Sequence, residues 1–513
     1  MSAYLQMRRV IVGSVGQRRA NRLAGLGLVS AFVFSTAGAG QPPAAEKPVA
    51  LTFRKQLFVD DYIIAERTNV TRGLGTPIKA NSGQPLIVAD KPWENADVFR
   101  LGAVFRDGDR FRLWYQLNDD LFGYAESADG LRWSKPSLGL REFQGSTSNN
   151  LVDAKGLTCF LDPHESDPAH RYKAAYGHET VRAALAHSPD GFRWTAYNHG
   201  QPVTHRAADT FNQLLWDDDA QAYRLYTRTD FGRGRWAGTL DEDRGTRDMV
   251  NADVKAHPTA WRTVREWRFD REGPWEFKRR QVYSLNGWLY EGVHFGLLWC
   301  YEWAGDLREG PFDLHKRHER DVLNFYIVTT REDAPWDLNW VYAGRPLVPR
   351  GPDGSFDKDW VQPSCDIVTW QDQHWLYYCG AKERHDIYRV REGLTRWQCA
   401  LGLATLRLDG FVCLEAKDKP GVVVTKPFKL EGRRVEINVA APNGEASVEV
   451  LDAAGNPLAG FTEEDATSLR AVDGLRLQPR WPAHADLSAL QGRVVRLRFH
   501  LRAARLYAFQ VRP

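Results

Sequence analysis

Methionine is scarce in this 513-residue chain, at 3 residues, and cysteine is limited to six: Cys159, Cys300, Cys365, Cys379, Cys399 and Cys413. Six scattered cysteines are too few for a disulfide framework in a chain of this size. No C-x-x-C pair occurs, which argues against a cysteine-based zinc site. Each cysteine lies in an apolar, strand-like context, so buried free thiols are expected. Cys399 and Cys413 flank a hairpin-like stretch and are the best-placed pair for a bond.

An excess of charge of one sign is also missing. The formal net charge is +3, but residues 1–39 carry Arg8, Arg9, Arg18, Arg19 and Arg22 and no acidic residue. Without them, 63 basic side chains face 65 acidic ones. A nearly neutral body has no chain-wide field for nucleic acid or an anionic membrane.

Long apolar runs are equally few. The run Leu23–Phe34 is shorter than the ~20 residues that a membrane span requires. It follows an arginine-rich start and precedes Ser35-Thr36-Ala37-Gly38-Ala39. Small residues in that position suit a signal peptidase, so residues 1–39 read as a secretory signal peptide, with a retained anchor as the alternative. No later segment is apolar enough to cross a bilayer. The mature chain is therefore expected in the periplasm or outside the cell, with no membrane partner after cleavage. Sustained 3.6-residue periods are few as well, so helices are expected to be minor.

Aromatic residues are plentiful: 19 Trp, 18 Tyr and 24 Phe. After a Pro/Ala-rich linker over residues 40–50, short apolar-aromatic runs alternate with Gly, Asp, Asn and Pro, the punctuation of an all-β chain. The motif Ser127-Ala128-Asp129-Gly130-Leu131-Arg132-Trp133 recurs as Ser188-Pro189-Asp190-Gly191-Phe192-Arg193-Trp194. Weaker copies begin at Arg268, Thr330 and Arg407. The five starts lie 61, 80, 62 and 77 residues apart, which allows four-stranded units with loop insertions. In each copy Asp can hydrogen-bond the turn backbone, Gly can take positive φ, and Trp can pack between neighbours. Pairs of strand-like runs precede the copies, among them Val98–Phe105 with Phe111–Tyr115, Tyr290–Trp303 with Phe325–Thr329, and Cys365–Trp370 with Trp375–Tyr378. Radial repetition of such units predicts a five-bladed β-propeller over residues 51–417. From residue 418 to 513 the pattern alternates apolar and polar, which predicts a C-terminal β-sandwich.

Leu57-Phe58-Val59-Asp60-Asp61-Tyr62-Ile63-Ile64, Leu113-Trp114-Tyr115, Tyr124-Ala125-Glu126 with the following Ser-Ala-Asp-Gly, and Asp409-Gly410-Phe411-Val412 carry a resemblance. With them the chain resembles bacterial proteins with a glycosyl hydrolase family 32 N-terminal-like domain, relatives of the fructanase, arabinanase and xylosidase propellers. The invertase-type Trp-x-Asn-Asp-Pro-Asn-Gly, Arg-Asp-Pro and Glu-Cys segments are absent, so the likeness speaks to fold more than to chemistry. It implies acidic residues at the axial starts of innermost strands, here Asp97, Asp209 and Glu291. Glycosidic cleavage needs a proton donor and a second carboxylate. The expected roles are Glu291 as acid, Asp97 as nucleophile or base, and Asp209 as the group that positions substrate and tunes Glu291. Each has a plainer structural reading as a turn cap or loop contact, and Glu94 is an alternative to Asp97. Arg100, His294, Trp93 and Trp288 are candidates for contacting a carbohydrate substrate. No cofactor is implied, although the resemblance allows a central cation. A glycoside hydrolase is the leading expectation; a non-catalytic glycan-binding propeller and a glycoside phosphorylase are the alternatives.

Overall fold

The computed structural model describes residues 46–94, 100–118, 121–153, 158–178, 182–204, 211–230, 244–269, 280–304, 320–385, 387 and 399–513. The signal-peptide reading falls outside them. Glu46–Pro513 forms one compact unit.

Four short strands open the chain: β1 (Gln56–Leu57), β2 (Ile64–Thr68), β3 (Thr71–Leu74) and β4 (Ile78–Lys79). Three four-stranded antiparallel sheets follow, each built from consecutive strands. The first holds β5 (Arg100–Asp107), β6 (Arg110–Asn118), β7 (Leu121–Ser127) and β8 (Leu151–Val152). In the second are β9 (Thr158–Leu161), β10 (Tyr172–His178), β11 (Arg182–Ser188) and β12 (Thr195–Ala196). The third contains β13 (Gln213–Asp217), β14 (Ala222–Asp230), β15 (Arg244–Asn251) and β16 (Arg262–Arg268).

An eight-stranded sheet comes next, with β17 (Arg280–Tyr290), β18 (Val293–Trp303), β19 (Asp321–Thr330), β20 (Trp360–Pro363), β21 (Val368–Trp370), β22 (Gln373–Ala381) and β23 (Cys399–Arg407), closed by β4. Its two halves meet only at one parallel pairing of Leu323 with Trp360. The remaining strands are β24 (Val412–Ala416), β25 (Gly421–Thr425), β26 (Phe428–Lys429), β27 (Arg434–Asp452), β28 (Leu469–Leu477), β29 (Val494–Arg502) and β30 (Ala504–Arg512). Among the described residues helix is confined to single turns. Among the described residues no helix is long and apolar enough to cross a membrane.

The repeated motif shows how sequence sets this arrangement. Asp129 Oδ1 accepts from the N–H groups of Leu131 and Arg132 (2.9 and 2.8 Å), and Ser127 Oγ accepts from Gly130 N–H (2.8 Å). Gly130 sits at φ 71°, where a Cβ would lie 2.6 Å from Tyr377 Oη and 2.9 Å from Trp375. Glycine is therefore required twice over, for its backbone angle and for the close packing. Gly191 repeats the device at φ 81°, and a Cβ there would meet Trp114 at 2.8 Å. The turn of the second sheet thus docks on the first, while the turn of the first docks on β22. First strands also touch in succession, β5 against β9, β9 against β13 and β13 against β17, while β21 and β22 lie against β5. The sheets form a closed circuit, and the N-terminal β4 completes the last of them by pairing with β23.

Strands β1–β3 and β24, read in sequence as part of the ring, pair instead with C-terminal strands in a ten-stranded sheet. With the strands of residues 418–513 they make one continuous hydrogen-bonded sheet. The 19-residue β27 explains this, since it pairs with β30 through one half and β29 through the other. Register shifts at Ile437/Val439 and Ala441/Glu445 in its pairing with β28 accompany the bend. The sheet wraps its own apolar core, including Phe58, Phe428, Phe499 and Phe509.

All six cysteines are free and buried. The expected partners Cys399 and Cys413 lie on strands of different sheets, β23 and β24. Cys399 is instead a diagonal cross-strand neighbour of Cys379, because Cys379 pairs with Leu401 and Ala381 with Cys399.

Candidate functional site

The innermost strands converge on the segment between β20 and β21. Both strands pair with β22, but four residues, Ser364–Ile367, span a gap opposite only Leu376 and Tyr377. Such a bulge releases backbone groups and re-aims side chains. Here the released groups join the ring together. Cys365 N–H donates to Gly102 O (3.2 Å), and Gln362 Nε2 donates to Leu101 O (3.1 Å). Asn286 Nδ2 donates to Ser364 O (3.2 Å), and Gln213 Nε2 donates to Cys365 O. The amide oxygen of Gln213 accepts from Gly287 N–H (2.7 Å), which ties β13 to β17. Thr158 Oγ1 extends the network to Asn212 O.

Asp366 sits in that bulge, only partly exposed. One carboxylate oxygen, Oδ1, accepts from Ile367 N–H (2.9 Å), and among the described residues no cation pairs with it. Desolvation pushes its carboxyl up to about 6, against the smaller opposing pull of the Ile367 hydrogen bond. Ser284 Oγ, Asn286 Oδ1 and Gln362 Oε1, on β17 and β20, are buried polar atoms without a protein partner. Polar atoms of this kind are uncommon in folded proteins and take water or ligand. A carboxyl that titrates near neutrality in such surroundings can hold and release a proton.

The end of the ring where the first strands start is lined with paired charges and aromatics. Arg280 Nε donates to Glu302 Oε1 (2.5 Å), and both residues are buried. Asn324 Nδ2 and Tyr326 Oη also donate to Glu302, at 2.5 and 2.8 Å. Tyr283 Oη lies 2.7 Å from His385 Nε2, and the His385 ring packs near Tyr301 and Trp360. The guanidinium groups of Arg228 and Arg244 each lie 5.8 Å from the centre of the Tyr283 ring. Glu302 is fully engaged and acts as an anchor. Arg228, Arg244 and His385 surround the Tyr283 ring.

The residues expected from sequence are distributed as follows. Asp97 and Asp209 lie outside the described residues; Asp97 stands three residues before β5 and Asp209 four before β13. Glu291 is not at a strand start. It occupies the tip of the β17–β18 hairpin at φ 51°, beside Gly292 at φ 75°, at the far end of β17 from Arg280. There its Oε2 accepts from Lys55 N–H (2.9 Å), a contact with the N-terminal segment. This places Glu291 at the hairpin tip rather than at the strand-start end where the resemblance put its acid. His294 is buried on β18 with Nε2 3.9 Å from Asp217, and desolvation lowers its pKa to about 4, so it is neutral. Trp288 stacks on Phe295 (5.3 Å), and Trp93 donates through Nε1 to Asn150 Oδ1 (2.7 Å); both are packing residues rather than free platforms. Arg100 opens β5 opposite Gln116, at the strand-start end. Glu94, the alternative to Asp97, is buried and receives Tyr115 Oη (2.5 Å), Lys135 Nζ (2.7 Å) and two backbone N–H groups, so it is structural. Asp366 was missed. Its signal in the sequence was an acidic residue next to Cys365 inside an otherwise apolar strand run.

Among the described residues, no three His, Cys, Asp or Glu side chains are grouped to hold a metal ion. No family profile and no curated protein matches the chain. Solved structures that it is similar to include a glycosyl hydrolase from Bacteroides ovatus, at 14% identity over 65% of this chain and 94% of that one, with a TM-score of 0.38. Another is an α-L-arabinofuranosidase from Podospora anserina in complex with cellotriose, at 12% identity, 65% and 97% coverage and a TM-score of 0.39. A third is a GH32 β-fructofuranosidase of Bombyx mori, at 10% identity, 84% and 94% coverage and a TM-score of 0.36.

Proposed function

We propose that the protein processes glycosides, as an exported hydrolase acting at the axis of a five-bladed ring. The five blades are counted by dividing the eight-stranded sheet at its single parallel link, and the ten-stranded sheet is read as a bent sandwich beside them. In this reading Asp366 is the proton donor. Asp97 serves as nucleophile or base, and Asp209 positions the substrate. The observation that carries the reading is the desolvated carboxyl of Asp366, with no cation partner among the described residues, at the point where β5, β13, β17 and the β20–β21 segment are hydrogen-bonded together. With its carboxyl pushed up to about 6, a fraction of it stays protonated as pH approaches neutrality, available to a leaving-group oxygen in need of a proton. The unpartnered polar atoms of Ser284, Asn286 and Gln362 can take hydrogen bonds from sugar hydroxyls.

The test is a reducing-sugar assay on residues 40–513 against a panel of polysaccharides. Asp366→Asn is expected to lower kcat by roughly 100-fold or more, the usual contribution of a positioned acid. Glu291→Gln is the control and is expected to retain activity. Full activity in Asp366→Asn removes Asp366 from the mechanism.

The Arg228, Arg244 and His385 cluster favours a second reading, phosphorolysis, because two guanidinium groups and an imidazole can receive a phosphate. Activity that requires inorganic phosphate and releases a sugar 1-phosphate would select it over hydrolysis.

A further inference from the structure

A groove of about 740 Å³ runs between the ring and the ten-stranded sheet, and Asp366 is not among its lining residues. Its floor exists because two backbones touch. A Cβ on Gly75 would lie 1.9 Å from Gly410 O, and Gly75 N–H donates to Phe411 O (2.8 Å). Only glycine permits that approach, and it leaves a trough above the junction. Three acids in the lining are already neutralised. Asp372 receives Arg476 Nη2 (2.6 Å), Glu415 receives Arg505 Nε (2.8 Å), and Asp473 receives Arg407. Arg345 and Lys417 line the same groove, are exposed, and have no carboxylate partner among the described residues. The trough therefore has two uncompensated positive charges. Thr71, Thr76, Thr405, Gln371 and Gln373 supply hydroxyl and amide groups along it.

We propose that this groove is a second carbohydrate site, selective for a short acidic oligosaccharide carrying uronate-type carboxylates. The proposal rests on the glycan-processing reading for the class of ligand, but not on Asp366. Arg345 and Lys417 meet the carboxylates, and the threonines and glutamines take the ring hydroxyls. Its three acids are all engaged by arginines, which assigns it to holding a polymer rather than cleaving it.

Isothermal titration of residues 40–513 with α-1,4-linked trigalacturonate tests this, with neutral maltotriose and inorganic phosphate as comparison titrants. Binding of trigalacturonate alone is expected. It should weaken about tenfold in Arg345→Ala/Lys417→Ala, at roughly threefold per exposed charge contact. It should also weaken at about 1 M salt, where the screening length is about 3 Å. Both substituted residues are exposed, and an unchanged melting temperature confirms that the double variant folds. Absence of trigalacturonate binding overturns the proposal, as does equal binding of maltotriose or binding indifferent to the double variant. Phosphate competing equally with the trisaccharide also overturns it, since the site would then read charge alone. Asp366→Asn keeps the two readings apart. Trigalacturonate binding that survives in that variant supports the groove even if no polysaccharide is cleaved, and turnover without trigalacturonate binding rejects the groove alone.

Discussion

Replacing Asp366 with Asn should stabilise the protein, and by an amount that depends on pH. The carboxyl is displaced from 3.8 to about 6 because its ionised form is desolvated without a compensating cation. At about 1.4 kcal/mol per pH unit of displacement, ionising it in the folded state costs up to about 3 kcal/mol more than in the unfolded chain. The folded state binds the proton more tightly, so stability is fully present below about 3.8 and is lost as pH rises through about 6. Asparagine is close in shape, can still accept from Ile367 N–H, and does not ionise. The two proteins should therefore be about equally stable near pH 4, and the variant should gain up to about 3 kcal/mol by pH 8. Urea unfolding at a series of pH values, followed by tryptophan fluorescence, measures the difference directly. A gain that is the same at pH 4 and pH 8, or no gain at all, would show that the carboxyl is not held in a desolvated site, and the argument for a proton donor there would fail with it.

Three further outcomes are expected. Arg280→Met strands the buried Glu302 carboxylate and should cost about 3–5 kcal/mol, while Arg280→Met/Glu302→Leu recovers most of it; equal losses in urea unfolding would contradict a buried pair. Glu291→Gln should leave kcat within about twofold and change stability by less than about 1 kcal/mol, because a hairpin-tip side chain contributes one hydrogen bond to Lys55 N–H. Ellman titration should detect no thiol in the native protein and six in guanidinium, because all six cysteines are free and buried; burial raises even the Cys413 thiol to about 11.

Much of the strand pattern was legible because most of these strands have one apolar face. The run Thr158–Leu161 is β9, and the runs around Phe111, Tyr172, Tyr223 and Trp375 lie inside β6, β10, β14 and β22. The Asp-Gly-x-x-Trp turns were legible for a related reason, since their bonding is local to a few residues. The failure at Glu291 has a specific cause. The first strand of its sheet, β17, carries Gln281, Ser284 and Asn286 toward the ring interior, where all three are buried. A strand that is buried but polar does not alternate in the expected way, so Tyr290 looked like the start of a strand when it is the end of one. Glu291 is thereby placed at the hairpin tip, away from the strand-start end where Arg280 lies. The membership of β1–β3 in the C-terminal sheet was illegible because pairing over more than 300 residues leaves no local mark.

The two ends of β17 show where chemistry can be placed in this fold. At the Tyr290 end, Tyr290 Oη and Lys55 Nζ both donate to Asp409 (2.6 and 2.8 Å), Asn438 Nδ2 donates to its second oxygen (3.0 Å), and Asp409 N–H donates to His374 Nε2 (3.2 Å). Every polar group in that cluster has a partner, so it fixes the ring to the ten-stranded sheet and has no capacity left for a ligand. In the middle of the same strand, Asn286 spends one amide group on Ser364 O and keeps the other unpartnered, two residues beyond the unpartnered hydroxyl of Ser284. A buried network left incomplete is costly for stability alone. It persists beside Asp366, the one carboxyl among the described residues that burial drives toward neutrality, and that contrast is why the proposed reading puts binding at this point and structure at the Tyr290 end.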